Sequence, residues 1–192
     1  MNVSKFPSTL ISLVRPAVHA LAGRLFVLTA QRTGSKHYRL SITNFFETGF
    51  VTCLYEQLLM SPVFAHLEVR HEMPHQTGAV GRPEQSDLWV RAFNGGAYHL
   101  IEVGYYSVGK VHSDAKKMKK NNPTGPNWFL ALFTDQAEAK DPWSVIQSSF
   151  KRKNGLDSSL IQTDQRLVVS FEVYRPNAQP DFFGAALFKV CK

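Results

Sequence analysis

Apolar and polar residues change their spacing several times along the chain, and each change marks an element. Residues 8–29 keep a helical spacing, with a kink or restart predicted near Pro16. A second helix is predicted over 43–60, where Phe50, Val51, Leu54 and Leu58 form the apolar face and Ser61-Pro62 closes the run. Residues 63–72 alternate instead. Ala65, Leu67 and Val69 take one face of a strand, and His66, Glu68 and Arg70 take the other. Strands 87–93 and 96–103 flank Asn94-Gly95, the strongest short hairpin signal. A short basic helix follows, with Ser113 or Asp114 as its cap and Asn121-Asn122-Pro123 as its stop. Residues 128–133 read as a buried strand. Asp141-Pro142 starts a helix reaching about Phe150, and 166–174 and 182–190 are two further strands. Loops fall near 75–86, 121–126 and 175–181.

From the second helix onward the order α–β–β–β–α–β–α–β–β predicts an α/β fold, a mixed sheet flanked by helices. The expected organisation is a single domain over 1–192, with an N-terminal helical segment (1–40), a core (41–133) and a C-terminal helix and strands completing the sheet (134–192). Composition agrees, since 44% hydrophobic and 19% charged residues form a core and exclude global disorder. Lys5, residues 10–14 and Ala20-Leu21-Ala22 imitate a signal peptide, but Arg15 and Pro16 break the apolar run. No uninterrupted apolar stretch of about 18 residues is present, so no membrane partner is expected. Cys53 and Cys191 make no disulfide framework, and a reducing, cytoplasmic setting is the expectation.

Charge is more informative for where it falls than for its sum. Twenty-two Lys and Arg against 15 Asp and Glu leave +7. Five of these lysines are Lys110, Lys116, Lys117, Lys119 and Lys120, and three more basic residues are Lys151, Arg152 and Lys153. The surplus points to an acidic partner, nucleic acid before an anionic surface.

The acidic residues that matter lie just before the lysines. With Asn94 and Gly95 as turn residues, Arg91 faces Tyr98, Trp89 faces Leu100 and Asp87 faces Glu102. A Gly95-Gly96 turn would shift the pairing by two residues. Directly opposed Cβ atoms stand about 4.5–5.5 Å apart. Two carboxylates at that range repel, and a hard divalent cation bound through oxygen is the natural offset. An ordinary hairpin with charged ends is the alternative. On the second helix Glu47 precedes Val51, Leu54 and Leu58 at helical intervals and so points inward, whereas Glu56 falls on the solvent side. An inward carboxylate needs a cation, a metal or hydrogen bonds, unless it curls back as a first-turn charge. His71-Glu72-Met73-Pro74-His75 matches a zinc-protease pattern, but that motif requires a helix, and Pro74 and the preceding strand forbid one. The loop 77–83, with Arg82, has no phosphate-cradling spacing.

Taken together, Glu47 on a helix, Asp87 starting a strand, Ile101-Glu102-Val103 ending the next and a following Asp114-Ala115-Lys116-Lys117-Met118 helix resemble the PD-(D/E)XK nuclease superfamily. The resemblance covers about residues 41–133 and implies a restriction-endonuclease-like fold. It implies a nuclease that hydrolyses DNA, in preference to RNA, with Mg²⁺ or Mn²⁺ held by Asp87 and Glu102 and supported by Glu47. It also makes a homodimer an assembly to test. The superfamily expects lysine two residues after the second acid, where this chain has Gly104. Lys110, Lys116 or Lys117 would then assume that role, with Lys117 the leading choice and Glu47, Asp87, Glu102, Lys110 and Lys117 the catalytic set. Lys116, Lys119, Lys120, Lys151, Arg152 and Lys153 would contact nucleic acid. Gly104 equally admits a catalytically inactive nuclease-fold module that binds nucleic acid or a protein partner. A basic interaction protein with an acidic partner is a third class. A non-nuclease hydrolase has no Gly-x-Ser-x-Gly elbow and no evident partner for Cys53.

Overall fold

The computed structural model describes residues 6–30, 46–74, 85–93, 98–174 and 180–191. Helices α1 (Phe6–Ser12), α2 (Val14–Ala30) and α3 (Phe46–Met60) lead, by way of a 3₁₀ turn at Pro62–Phe64, into strands β1 (Leu67–Pro74), β2 (Gln85–Ala92) and β3 (His99–Tyr105). Helix α4 (Val108–Asn121) then connects to β4 (Asn127–Phe133). Short α5 (Gln136–Lys140) and α6 (Pro142–Lys151) follow, then β5 (Ile161–Gln162), β6 (Val168–Val173) and β7 (Asp181–Val190). Among the described residues the sheet has seven strands. β1, β2 and β3 form an antiparallel meander, and β3 runs parallel to β4 through the α4 crossover. β7 lies antiparallel to β4 and carries β5 and β6. The expected α/β class with a mixed sheet and flanking helices is the observed one.

Strand alternation divides the apolar side chains between two cores. Leu88, Val90, Ile101, Val103 and Leu130 face Leu10, Val14, Phe50 and Leu54 of α1, α2 and α3. Leu100, Phe129, Ala131 and Phe133 face Val111, Ala115, Met118 and Ile146 of α4 and α6. Burying one such Leu or Phe stabilises by about 1.5–3 kcal/mol, so the central strands are anchored on both faces. Among the described residues no helix is long and apolar enough to cross a membrane.

Several boundaries differ from the expectation for identifiable reasons. The N-terminal restart comes at Leu13, not at Pro16, which sits in the first turn of α2 where backbone N–H groups have no helical acceptor. The first strand begins at Leu67 because Pro62 starts a 3₁₀ turn. His71 to Pro74 are β1 strand residues, as the rejection of a zinc-binding helix requires; His75 and loop residues 77–83 lie outside the described residues. The basic helix starts earlier than expected. Its N-cap is Ser107, whose Oγ accepts from the Lys110 N–H at 3.1 Å, so Ser113 and Asp114 lie inside the helix. Short α5 and two-residue β5 carried no readable period.

Helix α4 is clasped to the sheet at its C-terminal end. The buried side chain of Asn127 donates to the carbonyls of Met118 (3.2 Å) and Asn122 (2.9 Å), and Asn122 Nδ2 donates to Asn127 Oδ1 (2.8 Å). These bonds satisfy carbonyls left over at a helix end and fix the helix against β4.

A second polar contact is buried where α1 crosses β3 and β4. Trp128 Nε1 donates to His99 Nδ1 at 3.1 Å, and the Phe6 ring lies 4.1 Å from the imidazole. An accepting Nδ1 requires a neutral ring, and burial holds the His99 pKa down at about 4. A lowered pKa gives stability that is complete above the ordinary value of 6.5 and lost as pH falls through about 4. Wild-type stability relative to His99→Gln is therefore expected to fall by about 3 kcal/mol between neutral pH and pH 4, as measured by urea unfolding of both proteins.

Candidate active site

The β2–β3 ladder pairs Leu88 with Ile101, Trp89 with Leu100 and Val90 with His99, the register that an Asn94-Gly95 turn predicts. The turn itself, at 94–97, lies outside the described residues. Beyond Leu88 and Ile101 the ladder gives way to side-chain contacts. Asp87 Oδ2 accepts from the Val103 N–H at 2.6 Å, a carboxylate doing what a strand carbonyl does elsewhere. Ser86 Oγ donates to Glu102 Oε1 at 2.7 Å. Ser86, Asp87 and Glu102 thus form a polar cluster, the acidic notch, at the end of the paired stretch of β2 and β3.

Glu102 is only 4% exposed. Its pKa is pushed up to about 7, first by burial and then by the nearby negative charge of Asp87. Lys117 and Ser86 pull it partly back. Lys117 Nζ stands 2.7 Å from Glu102 Oε2, with the lysine side chain 25% exposed. Lys110 reaches the same region from the first turn of α4. A Cβ added to Gly104 would lie 2.3 Å from Lys110 Cε, so the missing side chain of Gly104 is the space that the Lys110 methylene chain fills. Its ammonium pairs with Asp114 Oδ2 at 3.1 Å.

Helical spacing explains which lysines gather here. Lys110, Asp114, Lys117 and Asn121 share one flank of α4, while Val111, Ala115 and Met118 face the sheet. Lys116, Lys119 and Lys120 fall on the outer side and the opposite flank. That opposite flank meets the segment after α6, where His112 Nε2 accepts from the Asp157 N–H at 2.9 Å. Lys151, Arg152 and Lys153 are exposed at the end of α6 and do not join the acidic notch. Glu47 lies in the first turn of α3, and its side chain is outside the described residues. Glu56 is a surface residue paired with Arg24. Cys53 is buried in the other core, where burial pushes its thiol pKa up, unlike a nucleophile's environment.

Sequence reasoning missed Ser86 and the Gly104–Lys110 contact. Strict alternation turns Ser86 away from Glu102, and their contact falls where β2 remains paired with β1 but no longer with β3. Among the described residues no group of three or more His, Cys, Asp and Glu side chains is gathered. The site offers two carboxylates with a hydroxyl and the Lys117 ammonium beside them, and Lys110, paired with Asp114, on the same flank of α4. Such a set could hold one hard cation or bind an anionic group against the lysines. No protein-family model, curated protein or solved structure matches the chain.

The raised pKa of Glu102 makes a signed prediction. Its contribution to stability is complete below the ordinary value of 4.5 and is lost as pH rises through about 7. Glu102→Gln is therefore expected to raise stability at pH 8 by of order 1–3 kcal/mol, with the gain vanishing below pH 4.5. Thermal melts of both proteins across that range measure it, and an equal gain at both ends would refute the burial argument.

Proposed function

We propose that this chain is a divergent member of the PD-(D/E)XK superfamily, of restriction-endonuclease-like fold, and that it hydrolyses phosphodiester bonds of DNA with the help of a divalent cation. The observation that carries this reading is the juxtaposition of Asp87 with buried Glu102, beside Lys117 and Lys110. Two features support it. Elements α3, β1, β2, β3, α4 and β4 follow the order expected from the resemblance, with the acids on β2 and β3. The lysine missing at Gly104 has a counterpart in Lys110, whose chain crosses that residue.

The donor set fits Mg²⁺ or Mn²⁺. Carboxylate oxygens are hard ligands, and Glu102 is an acid whose ionised form is under-compensated by the protein alone. Mg²⁺ commonly takes only one or two protein carboxylates and completes its shell with water and substrate phosphate. Asp87 and Glu102 would hold the ion, with Glu47 as a supporting acid. Bound there, the ion would stabilise charge on the phosphate and lower the pKa of a water molecule. The protein's own part is electrostatic and orienting. Ser86 fixes one oxygen of Glu102, the Val103 N–H fixes Asp87, and Lys117 balances the charge of the pair. Lys110 adds a second ammonium on the flank of α4 from which a phosphate would approach.

Gly104 also favours a second reading, a catalytically inactive module that binds nucleic acid or a protein partner without cutting. The test incubates plasmid and single-stranded DNA with Mg²⁺, Mn²⁺ or chelator. Cation-dependent cleavage is expected, lowered at least about a hundredfold by Asp87→Ala or Glu102→Ala and about 10²–10³-fold by Lys117→Ala. Binding without cleavage under every condition selects the second reading. Cleavage indifferent to cation and to both acids overturns the assignment.

A further inference from the structure

The face of β1 and β2 on the α4 side of the sheet carries a cluster that the acidic notch does not use. β1 and β2 are in register as Glu68 with Arg91 and Arg70 with Trp89, so these four side chains share one face. The Arg70 guanidinium lies over the Trp89 ring at 5.2 Å and that of Arg91 at 5.0 Å. Glu68 ties the two together. It accepts from Arg70 Nε at 2.6 Å and from Arg91 Nη2 at 3.0 Å, and the Arg70 hydrogen bond is the first cause of its lowered pKa. Tyr98 adds a second ring 5.5 Å from Trp89 and is tied by its hydroxyl to the Asn121 carbonyl of α4. The helix packed against β1 and β2 among the described residues is α3, on the opposite face. Arg70 and Arg91 accordingly keep 49% and 41% of their side-chain surface exposed.

We propose that this Arg70–Trp89–Arg91–Tyr98 platform binds an unpaired strand of nucleic acid, with bases stacked on the guanidinium planes and rings and phosphates held by the guanidinium edges. The inference rests on the nuclease reading and deepens it by naming the form of the substrate. Arginine planes and aromatic rings are the surfaces on which unpaired bases stack, and stacking tolerates any base. The two guanidinium groups are already laid flat and cross-tied by Glu68, so little side-chain entropy remains to be lost on binding. Position completes the case. Trp89 is two residues from Asp87 on the same face of β2, about 7 Å along the strand. A strand lying on the platform therefore delivers its backbone to the notch.

The experiment measures fluorescence anisotropy of labelled oligonucleotides with chelator present, so that binding is read apart from cutting. Thymidine and uridine oligomers, a thymidine oligomer with abasic residues throughout, and polyglutamate as competitor are compared. Trp89→Ala is expected to weaken the thymidine and uridine oligomers alike by about five- to a hundredfold. Trp89→Phe should retain most of the affinity, and the abasic oligomer should bind wild type about as weakly as the thymidine oligomer binds Trp89→Ala. If Trp89→Ala does not fold, Arg70→Gln with Arg91→Gln replaces it and is expected to show the same loss. Unchanged affinity in the folded variants, or equal binding of the abasic oligomer, overturns the inference even where cleavage is intact. Polyglutamate competing with the same dependence on Trp89 also overturns it, in favour of an acidic protein. Base-dependent binding by a protein that never cuts leaves the platform standing and removes the nuclease reading, whereas no nucleic-acid binding at all removes both.

Discussion

The register of β2 on β3 is the constraint on which the rest of the site depends. Pairing Leu88 with Ile101 sends Leu88, Ile101 and Val103 into the core beneath α1, α2 and α3, and it leaves Asp87 and Glu102 together on the side of α4. A slip of one residue would turn Glu102 into the apolar core and Val103 toward α4, so the apolar residues that stabilise the sheet also enforce the meeting of the two acids. Pairing then stops just where they meet. The Val103 N–H passes to a side-chain oxygen, and Ser86 turns to Glu102.

Holding a carboxylate there is unfavourable, as the raised pKa of Glu102 records. The fold tolerates it because it is anchored on both faces and because α4 brings in a lysine. The Asn122–Asn127 clasp sets the axial position of α4, and helical spacing then puts Lys117 at Glu102 and Lys110 across Gly104. A polar centre that weakens the fold while several elements support it is what the proposed nuclease reading expects of its site.

Much of this was legible in the sequence because the relevant signals are local. Asn94-Gly95 implied the observed register, alternation along 63–72 separated Leu67 and Val69 from Glu68 and Arg70, and Pro74 excluded a zinc-binding helix. Signals that depend on packing were not legible. Ser107 competes with Ser113 and Asp114 as a helix cap, and only the folded chain shows Lys110 inside the first turn. The contact of Lys110 with Gly104 joins a strand to a helix, so a lone glycine at the expected lysine position looked like a loss. The Arg70–Trp89–Arg91 cluster depends on the β1–β2 register, and no tight-turn signal lies between those strands to announce it. Glu47 belongs to the sequence argument alone, because its side chain is outside the described residues.

The proposed function requires Asp87 and Glu102 to hold a divalent cation jointly. Calorimetric titration of Mn²⁺ into wild type, Asp87→Asn and Glu102→Gln near pH 6 and near pH 8 tests it most directly. One ion per chain is expected, bound more tightly at the higher pH because Glu102 must give up its proton, and lost in both variants. No binding near pH 8, or binding that survives both substitutions, would contradict it.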